Sequence, residues 1–185
     1  GLFADGFDAY WLVSLDGSEA PRNLTNGAGT AKEMRLRYVA LDQEQPAGPA
    51  AGGGGGGRGG RGGGGDATID LSKPMFLSAY GDRTKKSGYY EVNQGQVHEI
   101  VYQDKSFGRP QKAANADRFL YTREDWTEYP DLRVADHTFQ NDKKVSDANP
   151  QQAEYRWGHR ILFDFTDRDG HKLQGTLAIP DSYQP

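Results

Sequence analysis

Apolar and polar residues alternate along much of this chain, in short runs separated by glycine, asparagine, aspartate or proline. The run 34–42, Met-Arg-Leu-Arg-Tyr-Val-Ala-Leu-Asp, is the clearest case. A period of two is typical of a strand with one buried face. Similar runs predict strands at 8–16, 23–25, 74–80, 88–92, 97–102, 118–122, 131–136 and 143–145, and a strand hairpin within 161–180. The pattern therefore predicts an all-β fold.

Only one segment has a helical pattern. Asn149 is a suitable N-cap residue, and Pro150 is favoured at the first position of a helix, so we predict a short helix at 151–155.

A weak internal repeat organises the strands. Phe76-Leu77 recurs as Phe119-Leu120, and the run at 89–92 recurs at 132–135, in both cases 43 residues later. Blades of β-propellers repeat at roughly 40 to 50 residues and contain four strands each. We therefore predict an incomplete β-propeller of about two and a half blades. The predicted segments are the end of a blade at 1–25, an interrupted blade at 26–104, a last blade at 105–150, and a junction with a hairpin at 151–185.

A tract rich in glycine interrupts the second of these segments, at 43–66. It contains Pro46, Pro49 and the run 52–65, in which only Arg58 and Arg61 are not glycine. Such a tract cannot bury enough apolar surface to offset its ordering entropy, so we predict a disordered surface loop. Arginine among glycines is also found in RNA-binding segments. Two arginines without aromatic neighbours, in a chain of net charge −4, give a poor footprint for nucleic acid, so we favour a neutral inserted loop.

Composition excludes several other classes of protein. There is no cysteine, which removes disulfides, thiolate metal sites and a cysteine nucleophile, and fits a bacterial periplasm or extracellular space better than the cytoplasm. No apolar run approaches the roughly 20 residues that span a bilayer, so no membrane partner is expected.

The chain begins without methionine inside an apparent strand and has no signal peptide, and it stops just after another apparent strand. We therefore expect both ends to be cut from a longer protein.

The candidate site residues have simpler structural explanations. The four histidines lack ligand spacing and are predicted at the surface or in turns: His98, His137, His159 and His171. Asp16-Gly17 and Asp169-Gly170 are typical of hairpin turns. Asp5, Asp8 and Asp16 do not match a calcium-binding EF-hand loop.

Two further candidates are loops with aromatic residues. The loop containing Arg123-Glu124, Asp125-Trp126 and Tyr129-Pro130-Asp131 could shape access of a substrate, but a salt-bridged loop with packed aromatics is the preferred interpretation. Trp157-Gly158 is predicted to pack at a junction between domains.

Several motifs are similar to those of a known family. Tyr-Trp-Leu-Val-Ser-Leu-Asp-Gly at 10–17 with Asn-Leu-Thr at 23–25 resembles the blade motif of TolB-like and peptidase propellers. More specific are Asp-Leu-Ser-Lys-Pro at 70–74, Leu-Ser-Ala-Tyr-Gly at 77–81, Thr-Lys-Lys-Ser-Gly-Tyr-Tyr at 84–90, Lys-Ala at 112–113, Phe-Leu-Tyr-Thr-Arg-Glu at 119–124, Tyr-Pro-Asp-Leu at 129–132, Val-Ser-Asp-Ala-Asn-Pro-Gln-Gln at 145–152, Glu-Tyr at 154–155 and Trp-Gly at 157–158. This ordered series resembles the last propeller blades of bacterial prolyl oligopeptidase family peptidases. The tail 169–180 resembles the hairpin that opens their α/β-hydrolase domain.

The resemblance implies a non-catalytic propeller fragment of a serine peptidase. The nucleophile and the rest of the triad would follow the tail, and no serine here lies within a Gly-x-Ser-x-Gly motif, so the chain alone is expected to be inactive, with no catalytic residues. The propeller would gate access of a peptide substrate and contact the hydrolase domain, and neither a metal nor an organic cofactor is implied. The alternative is a TolB-like binding or scaffold propeller without hydrolase activity. The Gly/Arg tract departs from the family pattern.

Overall fold

The structure is a computed structural model that describes residues 2–3, 7, 10–41 and 69–183. The described part is mostly β, with 43% of its residues in strands and 6% in helices. The strands are β1 (Leu2–Phe3), β2 (Trp11–Leu12), β3 (Arg22–Asn23), β4 (Met34–Tyr38), β5 (Met75–Gly81), β6 (Ser87–Asn93), β7 (Gln96–Gln103), β8 (Ser106–Phe107), β9 (Gln111–Lys112), β10 (Phe119–Glu124), β11 (Asp131–Ala135), β12 (Lys143–Lys144), β13 (His159–Thr166) and β14 (Lys172–Ile179). The helices are α1 (Ala28–Ala31) and a 3₁₀ turn at Pro150–Glu154. None of the helices described has the length and apolarity to cross a lipid bilayer.

The strands form four antiparallel sheets, and none of the sheets within the described residues is closed. The first sheet has the order β1-β2-β3, and the second has the order β4-β5-β6-β7. In the third sheet, β12, β11 and β10 are consecutive, and both β8 and β9 pair with β10. β13 and β14 pair with each other only, and we call them the hairpin. Each sheet lies within one of the four segments predicted from the sequence.

The second sheet is the middle layer because both of its faces are buried. On one face, Met34, Leu36 and Leu77 pack with Tyr10 and Leu24 from the region of the first sheet. On the other face, aromatic side chains of the second sheet pack against the third. The sequence of β5 therefore reads as a nearly continuous apolar run, which is typical of a strand covered on both sides.

Aromatic rings fill the space between the second and third sheets. Phe76 of β5 and Phe119 of β10 are the repeated phenylalanines of the sequence, and their rings stack with centroids 5.9 Å apart. Phe139, in the loop after β11, packs against both of them and against Tyr89 and Tyr121. The 43-residue repeat therefore places equivalent residues on the second strand of each sheet, where they contact each other.

Local chemistry sets the turns between the strands. β6 and β7 are joined by Gln94 and Gly95, both with positive φ (50° and 78°), as a tight hairpin turn requires. The β2–β3 connection is longer than the predicted turn at Asp16-Gly17. The side chain of Asp16 accepts hydrogen bonds from Ser14 and Ser18, and such local bonds compete with a strand ladder. The predicted strand at 8–16 therefore ends at Leu12, although Gly17 does occupy a turn with φ of 73°.

The prediction of a single helical segment was wrong in two respects. The segment after Asn149 is a 3₁₀ turn, in which Pro150 stands near the start but the side chain of Asn149 makes no capping hydrogen bond. The helical turn α1 was missed, because it starts after Gly27, a left-handed residue that gives no capping signal in the sequence. Strands β8 and β9 were missed because two residues are too few for a period of two to appear. The Gly/Arg tract at 43–66, with Arg58 and Arg61, lies outside the described residues, as do Asp5 and Asp8.

Candidate functional site

The loop between β10 and β11 is a compact turn that presents one large aromatic side chain. Oδ1 of Asp125 accepts hydrogen bonds from the backbone N–H groups of Thr127 and Glu128, both at 2.7 Å, and from the hydroxyl of Thr127 at 2.9 Å. These bonds close the turn locally, as aspartate side chains often do. Trp126 lies within the turn and is held at the surface, with 39% of its area exposed.

Trp126 joins the third sheet to the start of the hairpin. Its indole Nε1 donates a hydrogen bond of 2.8 Å to the backbone carbonyl of Trp157, and the two indole rings meet edge to face with centroids 6.0 Å apart. The guanidinium of Arg160, in β13, lies 3.5 Å from the ring centroid of Trp126. This distance is within the range of a cation–π interaction. Trp126 therefore contacts Trp157, just before the hairpin, through a hydrogen bond, and Arg160 of the hairpin through its ring face.

The 3₁₀ turn completes this joint. Nε1 of Trp157 donates to the carbonyl of Gln152, and Nε2 of Gln152 donates to the carbonyl of Thr127, each at 2.8 Å. The side chains of Trp126, Gln152 and Trp157 thus each donate to a backbone carbonyl of one of the other segments. We call this set, namely Trp126, Gln152, Trp157 and Arg160, the junction cluster.

Gly158 is required where the chain enters the hairpin. Its φ is 65°, a conformation that residues with a Cβ seldom adopt. A Cβ at this position would also meet the backbone of Ile179, whose carbonyl carbon would be only 3.1 Å away. The Trp157-Gly158 pair therefore serves two purposes, with the indole bonded to the 3₁₀ turn and the glycine allowing β14 to approach.

Six charged side chains form a cluster beneath the β10–β11 loop, which we call the charged cluster. Nζ of Lys105 lies 2.5 Å from carboxylate oxygens of both Asp125 and Glu128. The guanidinium of Arg133 lies 2.5 Å from Glu128 and from Asp142. Arg123 pairs with the same two acids at 3.2 and 3.4 Å. Three basic and three acidic groups therefore balance in a half-buried site.

The charges lower the pKa of each acid in this cluster. Burial of Asp125 opposes the effect, but the hydrogen bonds from Lys105, Thr127 and Glu128 bring its pKa down to about 2. Burial likewise opposes the effect at Glu128 and Asp142, whose pKa values are nevertheless lowered by Lys105 and the arginines. Burial, followed by the charge of Asp142, raises the pKa of Tyr121. The three acids are therefore ionised in the folded protein at neutral pH.

The hairpin also contacts the second sheet. Nε2 of Gln174 donates a hydrogen bond of 2.9 Å to the carbonyl of Arg83, in the turn between β5 and β6. That turn corresponds to the β10–β11 loop of the third sheet, since each connects the second and third positions of its sheet. Equivalent turns of two successive sheets therefore hold the same hairpin.

The hairpin has one polar and one apolar face. The register pairs Arg160 with Ala178 and Asp164 with Gln174, so the two residues that contact the sheets share a face that is mostly polar and also carries Leu162. The opposite face carries Ile161, Phe163, Phe165, Leu173, Leu177 and Ile179. The first five of these are exposed by between 42% and 52%. The polar face thus points toward the sheets, and the apolar face points away from them.

The four candidate histidines occupy surface positions, whereas several of the loop candidates are partly buried. All four histidines are exposed; His137 pairs with Asp117 at 2.6 Å, which raises its pKa, and His159 lies 3.9 Å from Asp181. The preferred interpretation of the 123–131 loop as salt-bridged with packed aromatics agrees with the structure. Asp131 is buried, and its side chain accepts hydrogen bonds from Ser146 and from the backbone of Ala148.

One grouping was missed by the sequence analysis. Asp167, Asp169 and His171 meet at the turn of the hairpin, with possible metal-ligating atoms within 4.8 Å of one another. Oδ1 of Asp167 already accepts hydrogen bonds from the backbone of Asp169 and His171, and its other oxygen lies 2.9 Å from Nδ1 of His171. Asp169-Gly170 is part of a turn closed by the bond from Gly170 to the carbonyl of Asp167, with φ of 87° at the glycine, as predicted. The grouping is explained by the turn alone.

A comparison of the sequence with models of protein families finds no match. A search of curated proteins also finds no match. The resemblance to prolyl oligopeptidase family peptidases therefore depends on the motifs quoted above. Within the described residues, the junction cluster links the hairpin to the third sheet, and the hairpin carries several exposed apolar side chains.

Proposed function

We propose that this chain is the propeller part of a serine peptidase similar to the prolyl oligopeptidase family, without catalytic residues of its own. In this proposal the second and third sheets are two successive blades, and the hairpin is the first element of an α/β-hydrolase domain. The propeller gates access of peptide substrates, and the chemistry belongs to residues outside this chain.

The observation that carries the proposal is the orientation of the hairpin. An amphipathic hairpin packed on a single core would turn its apolar face toward the sheets. Here Arg160 and Gln174 contact the sheets, while Phe163 and Leu177 are among the residues that point away. A contiguous exposed apolar face marks a contact with another unit. The quoted tail motif favours a hydrolase domain as that unit.

Two further observations support the propeller. The second and third sheets are antiparallel meanders that stack face to face through residues at equivalent positions, as blades do around a ring. The third sheet also has a partly exposed outer face, since Leu132 and Val145 are exposed by 42% and 55%. We infer that a blade from earlier in the ring covers that face.

The first test is to read the gene beyond the codon for Pro185. A Gly-x-Ser-x-Gly motif followed by an aspartate and then a histidine would support the peptidase, and an active-site serine probe would then label the full-length protein. A reading frame that stops, or that continues into further blade repeats, would refute it and favour the TolB-like binding propeller.

A pair of variants tests the same proposal in the full-length protein. Leu177→Asp places a charge on the apolar face, whereas Thr176→Asp places it on the opposite face of the same strand. We expect Leu177→Asp to abolish peptide hydrolysis and Thr176→Asp to retain most of it. Equal activity of the two variants would mean that the apolar face does not contact a catalytic domain.

A further inference from the structure

We propose that the loop 125–129 is a strap that fastens the hairpin to the third sheet, with the charged cluster as its anchor and Trp126 as its point of contact. This device is independent of the proposed peptidase function, because every residue involved lies within the described part of the chain.

The need for a strap follows from the hairpin itself. An isolated two-stranded hairpin is at best marginally stable in water. β13 and β14 are paired over eight residues each, but the side chains of both strands are largely accessible to solvent. The apolar face contributes little to holding the hairpin in place, because it points away from the sheets. Contacts at the polar face must therefore keep the hairpin attached and formed.

Trp126 provides the main part of this attachment. It combines a hydrogen bond to the carbonyl of Trp157 with a cation–π contact to Arg160, so it contacts both β13 and the segment that leads into it. The bond from Gln174 to the carbonyl of Arg83 is a second, weaker point, because it joins two neutral groups at the surface. Among the described residues, the hydrogen bonds that remain without Trp126 are this bond at β14 and the bond from Trp157 to the carbonyl of Gln152, just before β13.

The charged cluster fixes the strap at its base. Asp125 and Glu128 stand on either side of Trp126 and Thr127, and both are bound by the single ammonium group of Lys105. Lys105 belongs to the turn between β7 and β8, so the cluster ties the strap to the boundary between the second and third sheets. Half-buried pairs that share partners in this way are held more firmly than isolated surface pairs.

The test is amide hydrogen exchange followed by mass spectrometry on the 185-residue chain. In Trp126→Ala, we expect peptides covering 159–179 to exchange about tenfold faster, while peptides covering β5–β7 keep their protection. Tyr129→Ala is the matched control, since it removes an exposed ring from the same loop. Within the described residues, the Tyr129 ring makes no aromatic or cation–π contact. We expect that control to leave the exchange of 159–179 unchanged.

Two other variants keep the test decisive. Arg160→Ala removes the same contact from the hairpin side, so its effect and that of Trp126→Ala should not add in the double variant. Lys105→Met, which alters only the anchor, should also accelerate exchange in 159–179. Unchanged exchange in the Trp126 and Arg160 variants, or equal loss of protection in the hairpin and in β5–β7, would overturn the strap. An effect of Trp126→Ala without any effect of Lys105→Met would overturn the anchor.

Discussion

Phe139 is the residue whose truncation tests most directly how the second and third sheets are held together. Its ring is only 5% exposed, and ring centroids of four other aromatic residues lie between 4.8 and 6.2 Å away. A buried aromatic side chain covers about 150–250 Å². At about 25 cal/mol per Å², loss of a ring at the lower end of this range removes about 4 kcal/mol. The cavity and the lost ring contacts bring the expected cost of Phe139→Ala to about 4–5 kcal/mol.

The assay is equilibrium unfolding in urea, followed by far-ultraviolet circular dichroism. Phe163→Ala is the matched control, because it removes the same ring from the hairpin, where Phe163 is 44% exposed and, among the described residues, its ring lies near that of Phe165 alone. We expect the control to cost less than about 2 kcal/mol. A loss for Phe139→Ala that is no larger than that of the control would refute the aromatic cluster as the core between the sheets.

The backbone at Phe139 allows a second comparison at the same site. Its φ is 54°, a left-handed conformation that disfavours any residue with a Cβ by about 1–2 kcal/mol. Glycine avoids this penalty but loses more entropy on folding, by about 0.5–1 kcal/mol. We therefore expect Phe139→Gly to be at least as stable as Phe139→Ala. A glycine variant clearly less stable than the alanine variant would mean that the loop does not hold this conformation in solution.

Two further predictions concern charge and backbone. The pKa of Asp125 is lowered from 3.8 to about 2 in the folded protein, so its stabilisation is complete above about pH 5 and is lost as the pH falls through the folded pKa. Between about pH 5 and pH 2, the melting temperature should therefore fall less steeply in Lys105→Met than in the unaltered protein. An equally steep fall in the two proteins would contradict the conclusion that Lys105 lowers the pKa of Asp125. Gly158→Ala should destabilise the protein more than Gly170→Ala, because both glycines have positive φ but only Gly158 lies against other backbone. Thermal unfolding of the two variants checks this, and equal losses would show that the approach of Ile179 is unimportant.

The alternation of residues located the long strands well. In β4 the residues Met34 and Leu36 are fully buried and Arg35 and Arg37 are exposed, as a period of two requires. The hairpin was equally visible, since its register keeps most of its large apolar residues on one face. The direction in which that face points was not predictable, because periodicity separates two faces without indicating which one meets the rest of the protein.

The charged cluster and the strap could not be predicted from the sequence. Lys105, Asp125 and Asp142 are distant along the chain, and they meet only because β8, β10 and the β11–β12 loop come together at one end of the third sheet. Arg160 gave no signal either, since a charged residue at the start of a strand usually points to solvent. The packing of Trp157 at a junction between domains stays a prediction, and within the described residues its ring lies against Trp126.

The connectivity of the second sheet has a consequence for the order in which the molecule assembles. β5, β6 and β7 are joined by short turns, so their pairing needs little loop closure and can form early. β4 pairs with β5 across the long segment between Tyr38 and Met75, and the entropy of closing that segment grows only with the logarithm of its length. The edge strand β4 therefore joins a three-stranded meander that already exists, and brings the first sheet with it through Met34 and Leu36. Lengthening the segment should slow this last docking step while changing the final stability very little.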